Sequence, residues 1–234
     1  MAKRTISDLN LLLAVDKPQG CTSHDVVARA RRAVSERRIG HAGTLDPLAS
    51  GVMVLGLGQG TRLLGRITQD TKSYIADVTF GFETNTDDAE GEPTRTVEPA
   101  AELFDAAAAA RALASTVGPQ MQVPPAFSAI SVGGVRSYKR ARAGDAVELP
   151  ARPIEVRAAT LISVSEVDGA PVWTVAYTVS KGTYIRSLAR EIGEALGSGA
   201  HLTSLRRTRS GGFTLANAWD LEEFLKNLQN LETK

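Results

Sequence analysis

Alternating or continuous apolar residues predict strands in several separate stretches of the chain. The clearest alternation, over residues 72–82, places Tyr74, Ala76, Val78 and Phe80 on one face. The other predicted strands are two short apolar runs, 11–15 and 52–57, and the two β-branched arms of a hairpin, 153–167 and 171–180, which turns at Asp168-Gly169.

Helical spacing of apolar residues and capping signals predict five helices. Thr22, followed three residues later by Asp25, is a capping-box signature for the first. Another is rich in alanine and is ended by Gly118 and Pro119. The predicted helices cover residues 23–34, 61–67, 102–117, 184–196 and 220–228. Because strands outnumber clean alternations of strand and helix, we predict an α+β fold with a mixed, largely antiparallel sheet.

Two stretches depart from this pattern. Residues 119–152, which we call the thumb segment, contain prolines, glycines and a basic helix-like stretch, and we interpret them as an excursion from the main sheet of a single domain spanning 1–234. Residues 83–92 crowd acidic side chains together without the spacing of a calcium-binding EF-hand. We expect a solvated loop there.

Composition limits the class of protein. The chain has 234 residues, of which 43% are hydrophobic, enough for a full core. Its single cysteine, Cys21, excludes an intramolecular disulfide framework, and the apolar run over residues 9–15 is too short to span a membrane. These features predict a cytoplasmic protein with no membrane partner.

The formal net charge is only +1, but charge is distributed unevenly along the chain. An acidic section over residues 71–120 separates basic stretches on either side. Such clusters are the usual footprint of a protein that binds phosphate backbones, although each alone is also typical of a solvated helix face. The clusters are Arg29, Arg31, Arg32, Arg37 and Arg38; Arg136, Lys139, Arg140 and Arg142; and Arg206, Arg207 and Arg209.

The most specialised setting for a reactive group is the loop over residues 41–51, which presents Asp46 just before an apolar run. Pro47 biases Asp46 away from the helical conformation, while Gly43 and Gly51 allow backbone turns that are closed to other residues. The loop therefore suits a carboxylate that is held still. An ordinary Asp-Pro turn leading into a buried strand is the competing interpretation.

Other catalytic motifs have little support in the sequence. The histidines, His24, His41 and His201, are scattered and no Cys or His pair has zinc-site spacing, so we expect no metal. The sequence also lacks the phosphate-binding loop and the serine nucleophile elbow. By contrast, Gly182 permits a sharp strand-to-helix turn, beyond which Arg186 can hold a carboxylate in an ionised, bidentate pair.

These residues together resemble the bacterial tRNA pseudouridine synthases of the TruB family, which isomerise uridine 55 in the T loop of tRNA. The matching blocks keep their order from about residue 11 to residue 213, which is far more specific than any single block. The blocks are Asp16-Lys17-Pro18-Gln19-Gly20; residues 41–51; Lys72-Ser73-Tyr74; residues 122–130 with Gly134, Arg136, Tyr138, Ala141, Arg142 and Gly144; residues 181–186; Gly199-Ala200-His201-Leu202; and Leu205-Arg206-Arg207-Thr208.

The resemblance implies a pseudouridine synthase fold and a catalytic role for three residues. Asp46 would break the N-glycosidic bond of the target uridine, either by attacking the sugar or by removing a sugar proton, so that uracil rotates and rejoins through carbon. Tyr184 would lie near the base and take part in the closing proton transfer. Arg186 would be the ion-pair partner of the aspartate.

The resemblance also implies residues that bind the substrate. Tyr74 would stack on the extruded uracil, although packing within a strand explains it equally well. Leu205 would form an apolar wall of the pocket, and is also explained as core. His41 would help to hold the T loop open after the base has flipped. Lys17 and Pro18 would support the active site structurally.

The thumb segment would close over the RNA stem-loop, with Arg136, Lys139 and Arg142 as its contacts. No cofactor is needed, because the reaction is an isomerisation with no net redox change and no group brought in from outside. The expected partner is the T stem-loop of tRNA. We expect a monomer without an obligate protein partner.

The sequence departs from the family pattern at Ser131, where lysine is usual, and at Glu191, where aspartate is common. After Phe213 we predict only a short helical tail, from about residue 214, whereas many relatives continue into a small RNA-binding domain. We therefore expect no complete C-terminal RNA-binding domain, and weaker or less discriminating tRNA binding.

Two alternatives come from other functional classes. A non-catalytic tRNA-binding or tRNA-folding module would retain the cleft, but it would have no need of Asp46. A glycosidase usually needs two carboxylates, and only Asp46 has a specialised setting.

Overall fold

The computed structural model describes residues 10–34, 36–132, 134–143 and 149–232. The chain divides into two compact units: unit 1 is Met1–Tyr74 with Arg206–Lys234, and unit 2 is Ile75–Leu205. None of the helices within the described ranges is long and apolar enough to cross a membrane.

The described residues contain fourteen strands and six α-helices. The strands are β1 (Leu11–Lys17), β2 (Ile39–Ala42), β3 (Ala49–Leu57), β4 (Lys72–Phe80), β5 (Phe82–Thr84), β6 (Pro93–Thr96), β7 (Gly118–Gln122), β8 (Ser131–Val132), β9 (Val135–Arg136), β10 (Arg152–Val167), β11 (Ala170–Val179), β12 (Ala200–Ser210), β13 (Phe213–Thr214) and β14 (Ala218–Asp220). The helices are α1 (Ser23–Ala33), α2 (Leu64–Ile67), α3 (Ala106–Ser115), α4 (Ser137–Arg142), α5 (Ile185–Ala195) and α6 (Leu221–Glu232).

Unit 1 is built around β1, which pairs antiparallel with β3 and parallel with β14. β2 pairs antiparallel with β3, so the Asp46 loop connects two neighbouring strands. A small apolar cluster of Ala14, Ala42, Val52 and Val54 is buried between these strands and their covering residues. The capping box predicted at Thr22 and Asp25 is present and starts α1.

Unit 2 contains an antiparallel array in which β10 pairs with β11 on one side and with β7 on the other. The predicted hairpin is confirmed: Asp168 and Gly169 turn it with φ values of 51° and 81°, the left-handed pair that two-residue hairpin turns require. Trp173 packs against Phe80, with ring centroids 4.5 Å apart. Its indole N–H donates to the Leu103 carbonyl (2.7 Å), which joins the core to the segment before α3.

The mixed, largely antiparallel α+β architecture is confirmed. The tail, predicted from about residue 214 as only a short helix, instead contributes β13 and β14 to pairing before α6 begins. Other differences from the prediction lie at element boundaries. The alanine-rich helix begins at Ala106 rather than at residue 102, because Asp105 caps it by accepting the Ala108 N–H (2.7 Å). The helix predicted over 61–67 begins as the 3-10 turn Gly58–Leu63. Residues 119–122 of the thumb segment belong to β7 and pair with β10, so the excursion from the sheet begins only after Gln122.

Candidate active site

Unit 1 presents Asp46 on the connection between β2 and β3. Gly43 and Gly51, at either end of this loop, have φ values of 82° and 104°. These conformations disfavour any residue with a side chain, as the sequence predicted for both glycines. The Asp46 side chain is half-buried, so the loop presents it without leaving it fully in solvent.

The residues on either side of Asp46 are anchored by hydrogen bonds. Ser23, the first residue of α1, donates its hydroxyl to the Leu45 carbonyl (2.9 Å) and accepts the Leu45 N–H (2.8 Å). The Pro47 carbonyl accepts the Gly20 N–H (2.9 Å). Because both neighbours are held, the Asp46 backbone has little freedom, which is what a preorganised carboxylate requires.

A single buried arginine, Arg207 of β12, ties together the two ends of the loop. Its guanidinium donates to the carbonyls of Val52 (2.6 Å) and Gly43 (3.1 Å). A β-carbon at Gly51 would overlap the Arg207 carbonyl oxygen, so glycine is also needed there for close approach. Among the residues that the structure describes, no carboxylate lies within ion-pair distance of Arg207. Carbonyl dipoles therefore satisfy this buried charge.

Two further ionisable groups lie near Arg207. Lys72, the first residue of β4, is buried and donates its Nζ to the carbonyls of Asp70 (2.7 Å) and Thr68 (3.1 Å). Burial and, to a smaller extent, the charge of Arg207 lower the pKa of Lys72 to about 8. The same two causes, in the same order, lower the pKa of His41. His41 is therefore a neutral imidazole at neutral pH.

The predicted apolar and aromatic contacts, Tyr74 and Leu205, are both buried residues of strands. Tyr74 belongs to β4, whose alternate residues Ala76, Val78 and Phe80 are also buried, so the predicted periodicity is confirmed. Burial is compatible both with a pocket wall and with ordinary core. The stacking role of Tyr74 and the pocket role of Leu205 stay predictions.

Unit 2 presents Tyr184 immediately before α5. Gly182, with φ of 79°, makes the predicted strand-to-helix turn. Tyr184 is half-buried, and the side chain of Gln122 holds its backbone from both sides. The Tyr184 N–H donates to the Gln122 Oε1 (2.8 Å), and the Tyr184 carbonyl accepts from the Gln122 Nε2 (3.2 Å).

Arg186 is buried in the first turn of α5. Its guanidinium donates to the carbonyls of Thr86 (2.8 Å) and Phe127 (3.0 Å), and its Nε lies 3.6 Å from the Asp88 Oδ2. The Asp88 Oδ1 in turn accepts the Thr86 hydroxyl (2.6 Å). Asp46 belongs to unit 1 and Arg186 to unit 2, and their pairing stays a prediction.

The prediction of a solvated loop over residues 83–92 is wrong for two of its acids. Asp87 and Asp88 are only 8% and 3% exposed. Asp87 forms an ion pair with Arg190 of α5 (2.5 Å). Burial raises the pKa of Asp87 to about 6, although the charges of Arg190 and Arg186 oppose the shift. The sequence did not reveal this arrangement, because Arg190 lies 103 residues further along the chain.

The thumb segment carries three residues that are predicted to contact RNA. The structure shows a β8–β9 hairpin followed by α4. The side chains of Arg136, Lys139 and Arg142 lie outside the described part of the chain, and so does Gly144. Their contacts with RNA stay predictions.

Several residues that hold these segments were not singled out for such a role in the sequence. Ser23, Gln122 and Arg207 bind backbone groups distant in the chain. Lys72 binds the nearby carbonyls of Thr68 and Asp70, and Asp88 faces Arg186. Backbone carbonyls carry no residue identity, so no motif spacing reports such contacts. Gln122 and Arg207 lie in strands that contain other polar residues, GPQMQ and AHLTSLRRTRS, so the hydrophobic pattern did not distinguish them.

Comparison with known proteins covers nearly the whole chain. Residues 31–185 match the model of the TruB family pseudouridylate synthase N-terminal domain. Residues 186–234 match that of the tRNA pseudouridylate synthase B C-terminal domain. A tRNA pseudouridine synthase B of Paenarthrobacter aurescens is 50% identical over 226 residues, covering 96% of this chain and 72% of that protein. One of Nocardia farcinica is 52% identical over 219 residues, covering 94% of this chain and 71% of that protein.

The fold of this chain is also similar to solved structures. A chain of a Cbf5-Nop10-Gar1 complex is 30% identical, with a TM-score of 0.65 over 92% of this chain. A chain of an H/ACA RNP bound to a substrate RNA containing 2'-deoxyuridine is 27% identical, with a TM-score of 0.63 over 92% of this chain. This chain spans about half the length of those two, 53% and 52%. With the anchored Asp46 loop and matching domains over residues 31–234, the chain belongs to the TruB family of pseudouridylate synthases.

Proposed function

We propose that this chain is a tRNA pseudouridine synthase that converts uridine 55 in the T loop to pseudouridine. The observation that carries the proposal is the Asp46 loop, in which a half-buried carboxylate lies between two anchored neighbours, Leu45 and Pro47. Relatives about 50% identical over nearly the whole chain bear the name tRNA pseudouridine synthase B, which supports tRNA as the substrate.

In the proposed reaction, Asp46 starts cleavage of the bond between N1 of uracil and the sugar C1', by attack on the sugar or by removal of a sugar proton. The released uracil rotates and its C5 bonds to C1', which returns Asp46 to its starting state. The C5 proton then leaves and N1 takes up a proton, so the product is an isomer of the substrate. Tyr184 takes part in that closing proton transfer. Arg186 holds the Asp46 carboxylate ionised, since a guanidinium at ion-pair distance favours the charged form.

Reaching the base requires that it leave the helical stack, which costs a few kcal/mol. Tyr74 offsets part of this cost by stacking on the flipped uracil, with Leu205 as an apolar wall of the pocket. His41 supports the opened T loop as a neutral imidazole, because its pKa is lowered. The thumb segment supplies phosphate contacts through Arg136, Lys139 and Arg142.

We further propose that the enzyme acts in the cytoplasm as a monomer, without a cofactor and without an obligate protein partner. An isomerisation needs neither an oxidant nor a donated group. Sedimentation of the purified protein at micromolar concentration, alone and with tRNA, tests the monomer.

The experiment that tests the function is incubation of the purified protein with an unmodified tRNA transcript, followed by mapping of pseudouridine at nucleotide resolution. We expect product at uridine 55 from the wild type and none from Asp46→Asn. Asp70→Asn, in the same unit, serves as the matched control and should retain activity. Absence of product at uridine 55, or equal product from Asp46→Asn, would overturn the proposal. Tight tRNA binding without any product would instead favour the non-catalytic tRNA-binding module.

A further inference from the structure

Gln122 is the last residue of β7 and is only 1% exposed. Its carboxamide accepts the Tyr184 N–H at 2.8 Å and donates to the Tyr184 carbonyl at 3.2 Å. A side chain that pairs with both polar groups of one residue acts as a strand partner would, and fixes the peptide planes on either side of that residue.

Tyr184 needs such a partner because of its place in the chain. It is the N-cap residue of α5, in an extended conformation with φ of −101° and ψ of 115°, and its own side chain makes no capping hydrogen bond. The first N–H groups of a helix have no partner within the helix. The Tyr184 carbonyl also accepts the Leu188 N–H of α5 (3.1 Å), so Gln122 adds a hold on this backbone from outside the helix.

The orientation of the Gln122 amide is decided by its neighbours. Its Nε2 also lies 3.5 Å from the Glu191 Oε2. An ionised carboxylate only accepts and a backbone N–H only donates, so the opposite orientation of the amide would break the bond with the Tyr184 N–H and repel Glu191. The Tyr184 N–H therefore fixes the orientation of the amide, and the contact with Glu191 agrees with it.

The neighbouring residues of the thumb segment are attached to the same helix. The Val123 carbonyl accepts from the Ser187 hydroxyl (2.9 Å) and from the Arg190 guanidinium (3.0 Å). The Phe127 carbonyl accepts from Arg186 (3.0 Å). The segment that leads from the sheet into the thumb is thus bound along the helix that follows Tyr184.

We propose that Gln122 is a positioning residue that sets the backbone of Tyr184 and so aims the phenol used in the reaction. The inference rests on the proposed function for its catalytic consequence, because it takes Tyr184 to be the residue near the base. Gln122 is the last residue of the thumb segment that lies in the sheet. A displacement of the residues that follow it would be transmitted to Tyr184 through the two hydrogen bonds of Gln122. Gln122 touches neither substrate nor reacting atoms in this scheme.

The test compares Gln122→Met with Gln120→Met. Methionine keeps the size of glutamine but loses both hydrogen bonds. Gln120 lies on the same strand, and its amide donates to the Thr116 carbonyl (3.0 Å), away from Tyr184. Under single-turnover conditions with saturating tRNA, we expect Gln122→Met to slow pseudouridine formation by about 10- to 100-fold, the usual effect of a misplaced catalytic group. We expect its tRNA affinity, and both properties of Gln120→Met, to match the wild type.

A spectroscopic measurement separates this inference from the proposed function. The chain has four tyrosines, so 3-fluorotyrosine labelling should give four fluorine resonances, and Tyr184→Phe identifies the one from Tyr184. We expect Gln122→Met to shift or broaden that resonance and Gln120→Met to leave it unchanged. This comparison stands even if the wild type forms no pseudouridine, in which case the proposed function fails and the placement of Tyr184 is still decided.

The exchange variant Gln122→Glu with Glu191→Gln tests the hydrogen-bond pattern and guards against misfolding of Gln122→Met. Its carboxylate at position 122 can still accept the Tyr184 N–H. The amide at position 191 can donate to that carboxylate, so the hydrogen bond between the two side chains is kept with its direction reversed. We expect partial recovery of the rate and of the Tyr184 resonance. A Tyr184 resonance that does not change in Gln122→Met would overturn the inference, as would a changed resonance with an undiminished rate.

Discussion

The two units differ in the partners of the buried cations near their predicted catalytic segments. In unit 1, Arg207 and Lys72 are buried cations whose hydrogen-bond partners are backbone carbonyls. In unit 2, Arg186 and Arg190 are paired with carboxylates of the preceding acidic loop. The Asp46 loop is therefore held by a guanidinium that stays charged at every ordinary pH, whereas the surroundings of Tyr184 include carboxylates that titrate.

This difference places the pH sensitivity of the two units on opposite sides of neutrality. Burial lowers the pKa of Lys72 to about 8 and raises that of Asp87 to about 6. Both groups are charged at neutral pH although burial opposes their charge. Buried charges held against their solvation preference are typical of functional sites, where position matters more than stability.

The largest effect is expected from Arg207→Met. This change leaves the carbonyls of Gly43 and Val52 without their charged donor, and we expect it to lower the free energy of unfolding by about 3 to 5 kcal/mol. Urea unfolding monitored by circular dichroism measures it. Arg209→Met is the matched control, since Arg209 is an exposed residue of the same strand. Equal stability of the two variants would show that Arg207 does not hold the loop.

Lys72 tests the alkaline side of the comparison. Between pH 8 and pH 10.5 the unfolded chain keeps a proton that the folded chain has lost. Stability should therefore rise with pH across this window, by up to about 3 kcal/mol. Urea unfolding across the window measures the rise, which Lys72→Met should lack. The same pH dependence in both proteins would contradict the assignment.

Asp87 tests the acidic side. Between pH 3.8 and about pH 6 the folded chain keeps a proton that the unfolded chain has lost. Stability should therefore fall as pH rises through this window, by up to about 3 kcal/mol. Asp87→Asn removes this contribution, so the wild type and the variant should differ in slope between pH 4 and pH 6. If the stability of the two proteins changed equally with pH, Asp87 would not be the source of the pH sensitivity of unit 2.

The smallest effect on stability is expected from the basic residues of the thumb segment, which we propose to bind RNA. Lys139→Ala should weaken tRNA binding and reduce the slope of log affinity against log salt by about 1, because one phosphate contact is lost. Arg142→Ala should act likewise. Filter binding over a salt series measures both, with thermal unfolding as the check on stability. An unchanged salt slope would exclude the thumb segment from the RNA interface.

Much of the fold follows from local chemistry that the sequence displays. The Thr22 capping box, the Asp168-Gly169 hairpin and the alternation of β4 all depend on residues close together in the chain, and all three are present. The glycine turns around Asp46 belong to the same class, because a positive φ is a property of one residue. Boundaries such as the start of α3 were missed where a nearby cap competed with helical spacing.

The sequence by itself determined the family, the α+β class and the candidate residues Asp46, Tyr184 and Arg186, because ordered motifs and short-range patterns carry that information. Only the tertiary structure decided that Arg207 ties the ends of the Asp46 loop, that Gln122 holds Tyr184, and that Asp88 faces Arg186 inside unit 2. Each of these contacts joins a side chain to a distant backbone group or to a distant charge. Such contacts exist only after the chain has folded, because burial gives them their strength.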